Sequence, residues 1–204
     1  MKTPTGREIV RNGFWNENPI FRHTLGICST LAVTNVLANT LVMCTGLLFT
    51  MAMSSLTVSL LRKITPPRIR MMVQTLVIAS YVIMVDIVIK AYLPEISEAL
   101  GPYVGLIITN CIVMGRCEAF ARSNPPLSSM LDGAATALGF SAVLMTIAVI
   151  RETLGFGTIL GLRVMPSGFT PWTIMIMAPG AFFVLGILVW AVRARFPRVF
   201  EVKG

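Results

Sequence analysis

This chain has little charge. Only 13% of its 204 residues are charged, 55% are hydrophobic, and the mean hydropathy is +0.78, whereas soluble domains carry about 25% charged residues. That deficit excludes an ordinary water-soluble domain and places the chain in a bilayer. From Thr24 to Leu61 there is no Asp, Glu, Lys or Arg, and an apolar run of about 18 residues already reads as membrane-spanning. The apolar runs also lack the alternation of barrel strands, so backbone satisfaction in lipid leaves helices. Met1 to His23 is polar and is followed by no cleavable apolar core, so no signal peptide is expected. The 13 methionines are scattered through apolar runs as packing residues and form no copper-like motif.

Six apolar segments are present, at about 24–35, 37–61, 70–91, 99–115, 130–150 and 172–193. Breakers divide them: Asn35 and Asn39, Thr65-Pro66-Pro67, Pro94 and Gly101-Pro102, Ser123-Asn124-Pro125-Pro126, and the stretch from Gly155-Phe156-Gly157 to Pro171. The expected fold is therefore an all-α membrane protein with six transmembrane helices in one integral membrane domain over residues 1–204. The first and fourth segments are short, about 12 and 17 residues against the roughly 20 needed to cross the hydrocarbon core. They read as half-helices or broken helices.

With a cytoplasmic N-terminus, fourteen of the 17 basic residues fall inside. They are Lys2, Arg7, Arg11 and Arg22; Arg62, Lys63, Arg68 and Arg70; Arg116 and Arg122; and Arg193, Arg195, Arg198 and Lys203. Only Lys90, Arg151 and Arg163 remain outside. This distribution predicts both termini in the cytoplasm. The net charge of +8 is then a topology signal, and without a basic face interleaved with aromatics it predicts no nucleic-acid partner.

Six spans divide into two sets of three, and an odd set re-enters the membrane in the opposite sense. The expectation is two inverted three-helix repeats, approximately 20–92 and 99–194. Cys28, in Leu25-Gly26-Ile27-Cys28-Ser29-Thr30, lies in the first segment of the first half. Cys111, in Thr109-Asn110-Cys111-Ile112, lies in the first segment of the second half. A pseudo-two-fold axis in the membrane plane would bring both thiols together. Gly26 and Gly115 allow close backbone approach, and Ser29, Thr30, Thr109 and Asn110 offer hydrogen-bond donors. A lone buried cysteine is usually packing, but two at equivalent positions supply half of the four thiolates that a 2Fe-2S cluster requires.

The run Val104-Gly105-Leu106-Ile107-Ile108-Thr109-Asn110-Cys111-Ile112-Val113-Met114-Gly115-Arg116, with Glu118-Ala119-Phe120-Ala121, resembles the D-subunit family of the sodium-translocating NADH:quinone reductases. So do Leu25-Gly26-Ile27-Cys28-Ser29, Val85-Asp86 with Lys90-Ala91-Tyr92-Leu93, Asp132-Gly133, Arg151-Glu152 and Ala178-Pro179. The resemblance covers nearly the whole chain. It implies that Cys28 and Cys111 are iron ligands of a 2Fe-2S centre shared with a homologous E subunit of opposite orientation. It further implies a six-subunit complex, A to F, in a bacterial inner membrane. Electrons would pass from a cytoplasmic FAD and iron-sulfur subunit to downstream flavins and quinone while Na+ is exported. FAD, FMN and riboflavin would sit on other subunits only. The family has alanine where this chain has Cys117, which reads as a bystander at the cytoplasmic mouth, and Cys44 reads as core.

Asp86 and Lys90 stand one helical turn apart, as a salt-bridged pair would. An intramembrane carboxylate is nonetheless a candidate on an ion pathway, and Na+ takes oxygen ligands. Glu118 and Asp132 read as solvated or helix-capping residues with a weaker claim to the same path. His23, the only histidine, reads as interfacial, with a ligand role open. Two other functions compete: the E subunit of an Rnf-type ferredoxin:NAD oxidoreductase, and a non-redox inverted-repeat ion transporter in which the cysteines are packing.

Overall fold

A computed structural model describes residues 20, 25–92, 94–159, 162–163 and 177–195. Helix α1 (Ile27–Val33) and the long α2 (Leu37–Leu61) are followed by α3 (Arg70–Tyr92), α4 (Pro94–Ile108) and α5 (Cys111–Arg116). α5 runs into a π-helical turn, Cys117–Ala121, and the chain then turns into α6 (Pro126–Gly155). A minimal antiparallel pairing follows, β1 (Thr158–Ile159) with β2 (Leu162–Arg163), in the register Thr158 to Arg163 and Ile159 to Leu162. The last described element is α7 (Ala178–Arg195).

Among the described residues, four helices are long and apolar enough to cross a membrane: Leu37–Leu61, Arg70–Tyr92, Tyr103–Ala121 and Pro126–Gly155. The first and sixth expected segments are not among these four. At about 1.5 Å per residue, seven-residue α1 is far too short to cross alone. α7 covers most of the expected sixth segment, whose residues 172–176 lie outside the described residues. The crossing at Tyr103–Ala121 is composite: the end of α4, a break at Thr109-Asn110, α5 and the π turn. The expected short first helix and broken fourth segment are therefore both present.

Two expected boundaries move for local reasons. Gly101-Pro102 does not break the chain, because α4 begins at Pro94 and continues through both residues. Proline suits a helix start, where its missing N–H is not needed, and an interior proline is tolerated in a membrane helix. α6 is 30 residues long, well beyond the expected 130–150. Pro126 at its first position sets the start, and Ser129 N–H and Oγ both donate to the Pro125 carbonyl, at 3.0 and 3.1 Å.

α2 and α6 pack against each other along the centre of the bundle. They come close together at Gly133, where a Cβ would lie 2.8 Å from Ser55 Oγ and 2.9 Å from the Met51 carbonyl oxygen. The interior is small and polar as well as apolar: Thr40, Thr50, Ser54, Ser55 and Ser59 of α2 are buried, as are Ser129, Ala135, Thr136 and Ala137 of α6. Lipid is as apolar as leucine, so large side chains gain nothing by turning inward and small ones let helices close up. α3 is peripheral; Gln74, Ile78, Val82 and Ile89 are its buried residues. Its outer face exposes Met72, Leu76, Ile83 and Ile87.

Candidate functional site

Both candidate cysteines stand in the first turn of a short helix that follows a break. Gly26 precedes α1 with φ +83°, a left-handed conformation natural only to glycine. A Cβ there would come within 2.5 Å of Ile112 Cδ1 and 2.8 Å of the Phe140 ring, so Gly26 also permits the close approach of α1 to α5. Its carbonyl accepts from Thr30 N–H at 3.2 Å and Thr30 Oγ1 at 3.0 Å. Gly115 is less constrained, with only Leu25 Cδ1 in ordinary contact at 3.7 Å.

Asn110 organises the other half. Its Oδ1 accepts from Ile112 N–H at 3.0 Å and caps α5, while its Nδ2 donates to Ser29 Oγ at 3.0 Å. One buried amide therefore starts the helix that carries Cys111 and fastens the residue next to Cys28. Ser29 Oγ lies 4.0 Å from Cys28 Sγ. Of the four donors expected around the thiols, Ser29, Thr30 and Asn110 are committed to this junction.

The four free thiols separate by exposure. Cys28 and Cys111 are exposed, whereas Cys44 and Cys117 are buried. Cys44 is the expected core residue. Cys117 is fully buried, 3.8 Å from Ser54 Oγ, because the π turn directs it onto α2. Among the described residues, no three His, Cys, Asp or Glu side chains come together as a metal group. Two exposed thiols fit half of a four-thiolate site, and the other ligands would have to come from outside the described residues.

Asp86 accepts from Lys90 Nζ at 2.6 Å, as the i,i+4 spacing predicts. Glu118 is half-buried and Asp132 is buried, and each is held by arginine. Glu118, on the π turn, accepts from Arg70, from Gln74 Nε2 at 3.0 Å and from Arg122 Nη1 at 3.5 Å. Asp132 is only 3% exposed and is gripped at both oxygens by Arg116, through Nε at 2.9 Å and through Nη2. A carboxylate in lipid costs too much to leave unpaired, so the bundle delivers an arginine to each. His23 lies outside the described residues.

Sequence reading assigned Arg151 to an outer loop and gave Glu152 no role. Both are buried at the end of α6. Glu152 Oε2 accepts from Leu37 N–H at 2.7 Å, satisfying an amide at the start of α2. Arg151 Nη1 donates to Thr34 Oγ1 at 2.7 Å and Nη2 to the Met177 carbonyl at 3.4 Å. The signal available in the sequence was an adjacent charge pair at the end of an otherwise uncharged run.

Residues 7–189 match the family described as Rnf-Nqr subunit, membrane protein. The chain belongs to the Rnf-Nqr family. Among its relatives is the D subunit of the Na(+)-translocating NADH-quinone reductase of Pseudomonas aeruginosa PAO1, 46% identical over 93% of this chain and 87% of the relative. The D subunits of the same name from Chlamydia abortus and Photobacterium profundum are 47% and 45% identical. They match over 87% and 97% of this chain, and 88% and 96% of their own lengths. With the long apolar helices, this makes the Rnf-Nqr chain a multi-pass membrane protein.

Asn110→Ala removes the α5 cap and the hydrogen bond that ties α5 to Ser29 across the junction. The expected loss is about 1–3 kcal/mol, combining a cap with a buried hydrogen bond. Thermal unfolding of the detergent-solubilised Rnf-Nqr chain should show it, and an unchanged midpoint would mean that the junction stands without Asn110.

Proposed function

We propose that this chain is the electron-transferring D subunit of a sodium-translocating NADH:quinone reductase. In this reading it holds half of a 2Fe-2S centre shared with a homologous E subunit in a six-subunit complex. The observation that carries the reading is the separation of the thiols: Cys28 and Cys111 are exposed and joined through Ser29 and Asn110, while Cys44 and Cys117 are interior. The names of the relatives point the same way. Cys28 and Cys111 would hold the centre as thiolates, with the Ser29 hydroxyl beside one sulfur. Such a centre, when bound, takes up and returns one electron at a time, between the cytoplasmic FAD and iron-sulfur subunit and the downstream flavins. The buried Asn110 and the close contact at Gly26 keep the two thiol-bearing turns in a fixed relation.

Replacing Cys28 or Cys111 by Ala in the assembled complex should remove the shared iron and stop quinone reduction while NADH oxidation by an artificial acceptor persists. Cys44→Ala and Cys117→Ala should keep full iron. Retained iron after Cys111→Ala with loss after Cys117→Ala would show that the ligands are wrongly chosen. An iron-free wild-type complex would favour the non-redox transporter. The D-subunit names of the relatives favour the quinone reductase over the Rnf-type complex, whose subunits the family name also covers.

The proposed architecture is an inverted repeat with both termini cytoplasmic in a bacterial inner membrane. Three parallels support it. Each half has a short helix with an exposed cysteine in its first turn, preceded in the second half by α4, continues into a long helix, α2 or α6, and ends on a further helix, α3 or α7. Reporter fusions after Lys203 and near Pro94 should appear on opposite sides of the membrane; both on one side would end the proposal.

Of the three carboxylates considered for an ion path, Asp86 is retained. Asp132 is locked by a bidentate arginine and Glu118 by two arginines and a glutamine, whereas the partner of Asp86 is an exposed lysine that can swing away. Asp86→Ala should raise the sodium concentration for half-maximal quinone reduction and leave the iron content intact. An unchanged sodium response would reduce Asp86 to a partner of Lys90.

A further inference from the structure

A cavity of about 140 Å³ opens between α2, α3 and the turn that follows the π segment, away from both thiols. Its apolar wall includes Val58, Leu61, Val73 and Val77, and three arginines line it, Arg62, Arg70 and Arg122. We propose that it binds the phosphate of an anionic phospholipid, with an acyl chain along the apolar wall.

The charge balance favours an anion. Glu118 is the carboxylate bonded to Arg70 and Arg122, and among the described residues Arg62 donates to a neutral group, the Asn124 carbonyl, at 2.8 Å. Three positive charges thus meet one negative charge. Two lining residues also carry buried polar atoms without a hydrogen-bond partner among the described residues, Arg70 Nε and Gln74 Oε1. Gln74 is only 1% exposed. A phosphate oxygen satisfies the first, and a headgroup hydroxyl satisfies the second. Both conditions are unusual for a void that only separates helices, since buried polar atoms are normally paired.

The position suits a lipid more than a free ion. α2 ends at Leu61 and α3 begins at Arg70, so the cavity lies where two membrane-crossing helices reach the edge of the bilayer. Basic pockets at that depth meet phosphate headgroups. The neighbouring outer face of α3 exposes Met72 and Leu76 to acyl chains. A zwitterionic headgroup would add an ammonium to a cluster already in positive excess.

The test uses the purified full chain in neutral detergent, titrated by native mass spectrometry with phosphatidylglycerol, phosphatidylcholine and inorganic phosphate. Phosphatidylglycerol should bind saturably at one site, with phosphatidylcholine at least about tenfold weaker and inorganic phosphate unable to compete at equal concentration. Arg62→Gln with Arg122→Gln should weaken phosphatidylglycerol binding by roughly 25-fold, since each arginine near a charged membrane surface contributes about a fivefold factor. Arg122→Lys should retain most of the binding. Val77→Trp leaves every arginine in place and narrows the apolar wall, so it should also weaken binding. Arg195→Gln, a basic residue on α7, should have no effect. Equal binding of phosphatidylcholine, an equal loss in Arg195→Gln, or inorganic phosphate binding as tightly as the lipid would each overturn the proposal.

Discussion

In a bilayer no water takes over a broken backbone hydrogen bond, so wherever this chain leaves the helix within its membrane-crossing bundle another group must satisfy the freed amide or carbonyl. The break before α5 is served by Asn110 Oδ1, which accepts from Ile112 N–H. The break before α2 is served from the far end of α6, where Glu152 accepts from Leu37 N–H. Arg151 then steadies the same break by donating to Thr34, whose hydroxyl in turn donates to the Thr30 carbonyl at 2.5 Å. Both candidate cysteines stand on helices bounded by these satisfied breaks. Their placement follows from how the interruptions are satisfied.

The rest of the bundle obeys the same solvent. Serine and threonine fill the seam between α2 and α6 beside Gly133, while Met72, Leu76, Phe183 and Trp190 face outward. Among the described residues, buried Asp132 takes Arg116, and half-buried Glu118 takes Arg70 and Arg122. These pairs cost desolvation and add little net stability, but removing one partner would leave a stranded charge. They join α3, the π turn and α6 at one end of the bundle. The proposed ligand pair lies apart from this charge network, so two thiols remain open to a partner while the acids are neutralised within the chain.

Several elements were legible because their signals are local. The charge-free stretch up to Leu61 gave the end of α2, whereas the expected start at residue 130 fell inside α6, which begins at Pro126. Asp86 and Lys90 paired as their spacing requires. The shortness of the first and fourth segments was visible as run length, but the position of the interruption at Thr109-Asn110 was not. Gly101-Pro102 misled because a breaker acts through its position in the helix and its surroundings.

The amino-acid sequence by itself determined the solvent, the helical class and the singling out of Cys28 and Cys111, since composition, run length and local motif are properties of neighbouring residues. It could not show that Cys28 and Cys111 are exposed while Cys117 is buried, because a cysteine in an apolar run has the same local context on either face of a helix. Nor could it foresee that Glu152 would satisfy an amide 115 residues away, or that Arg116 would find Asp132. Those partnerships were decided by tertiary packing: only when α2, α5 and α6 close on one another does a low-dielectric interior force each charge and each interrupted amide to take the partner that lies within reach.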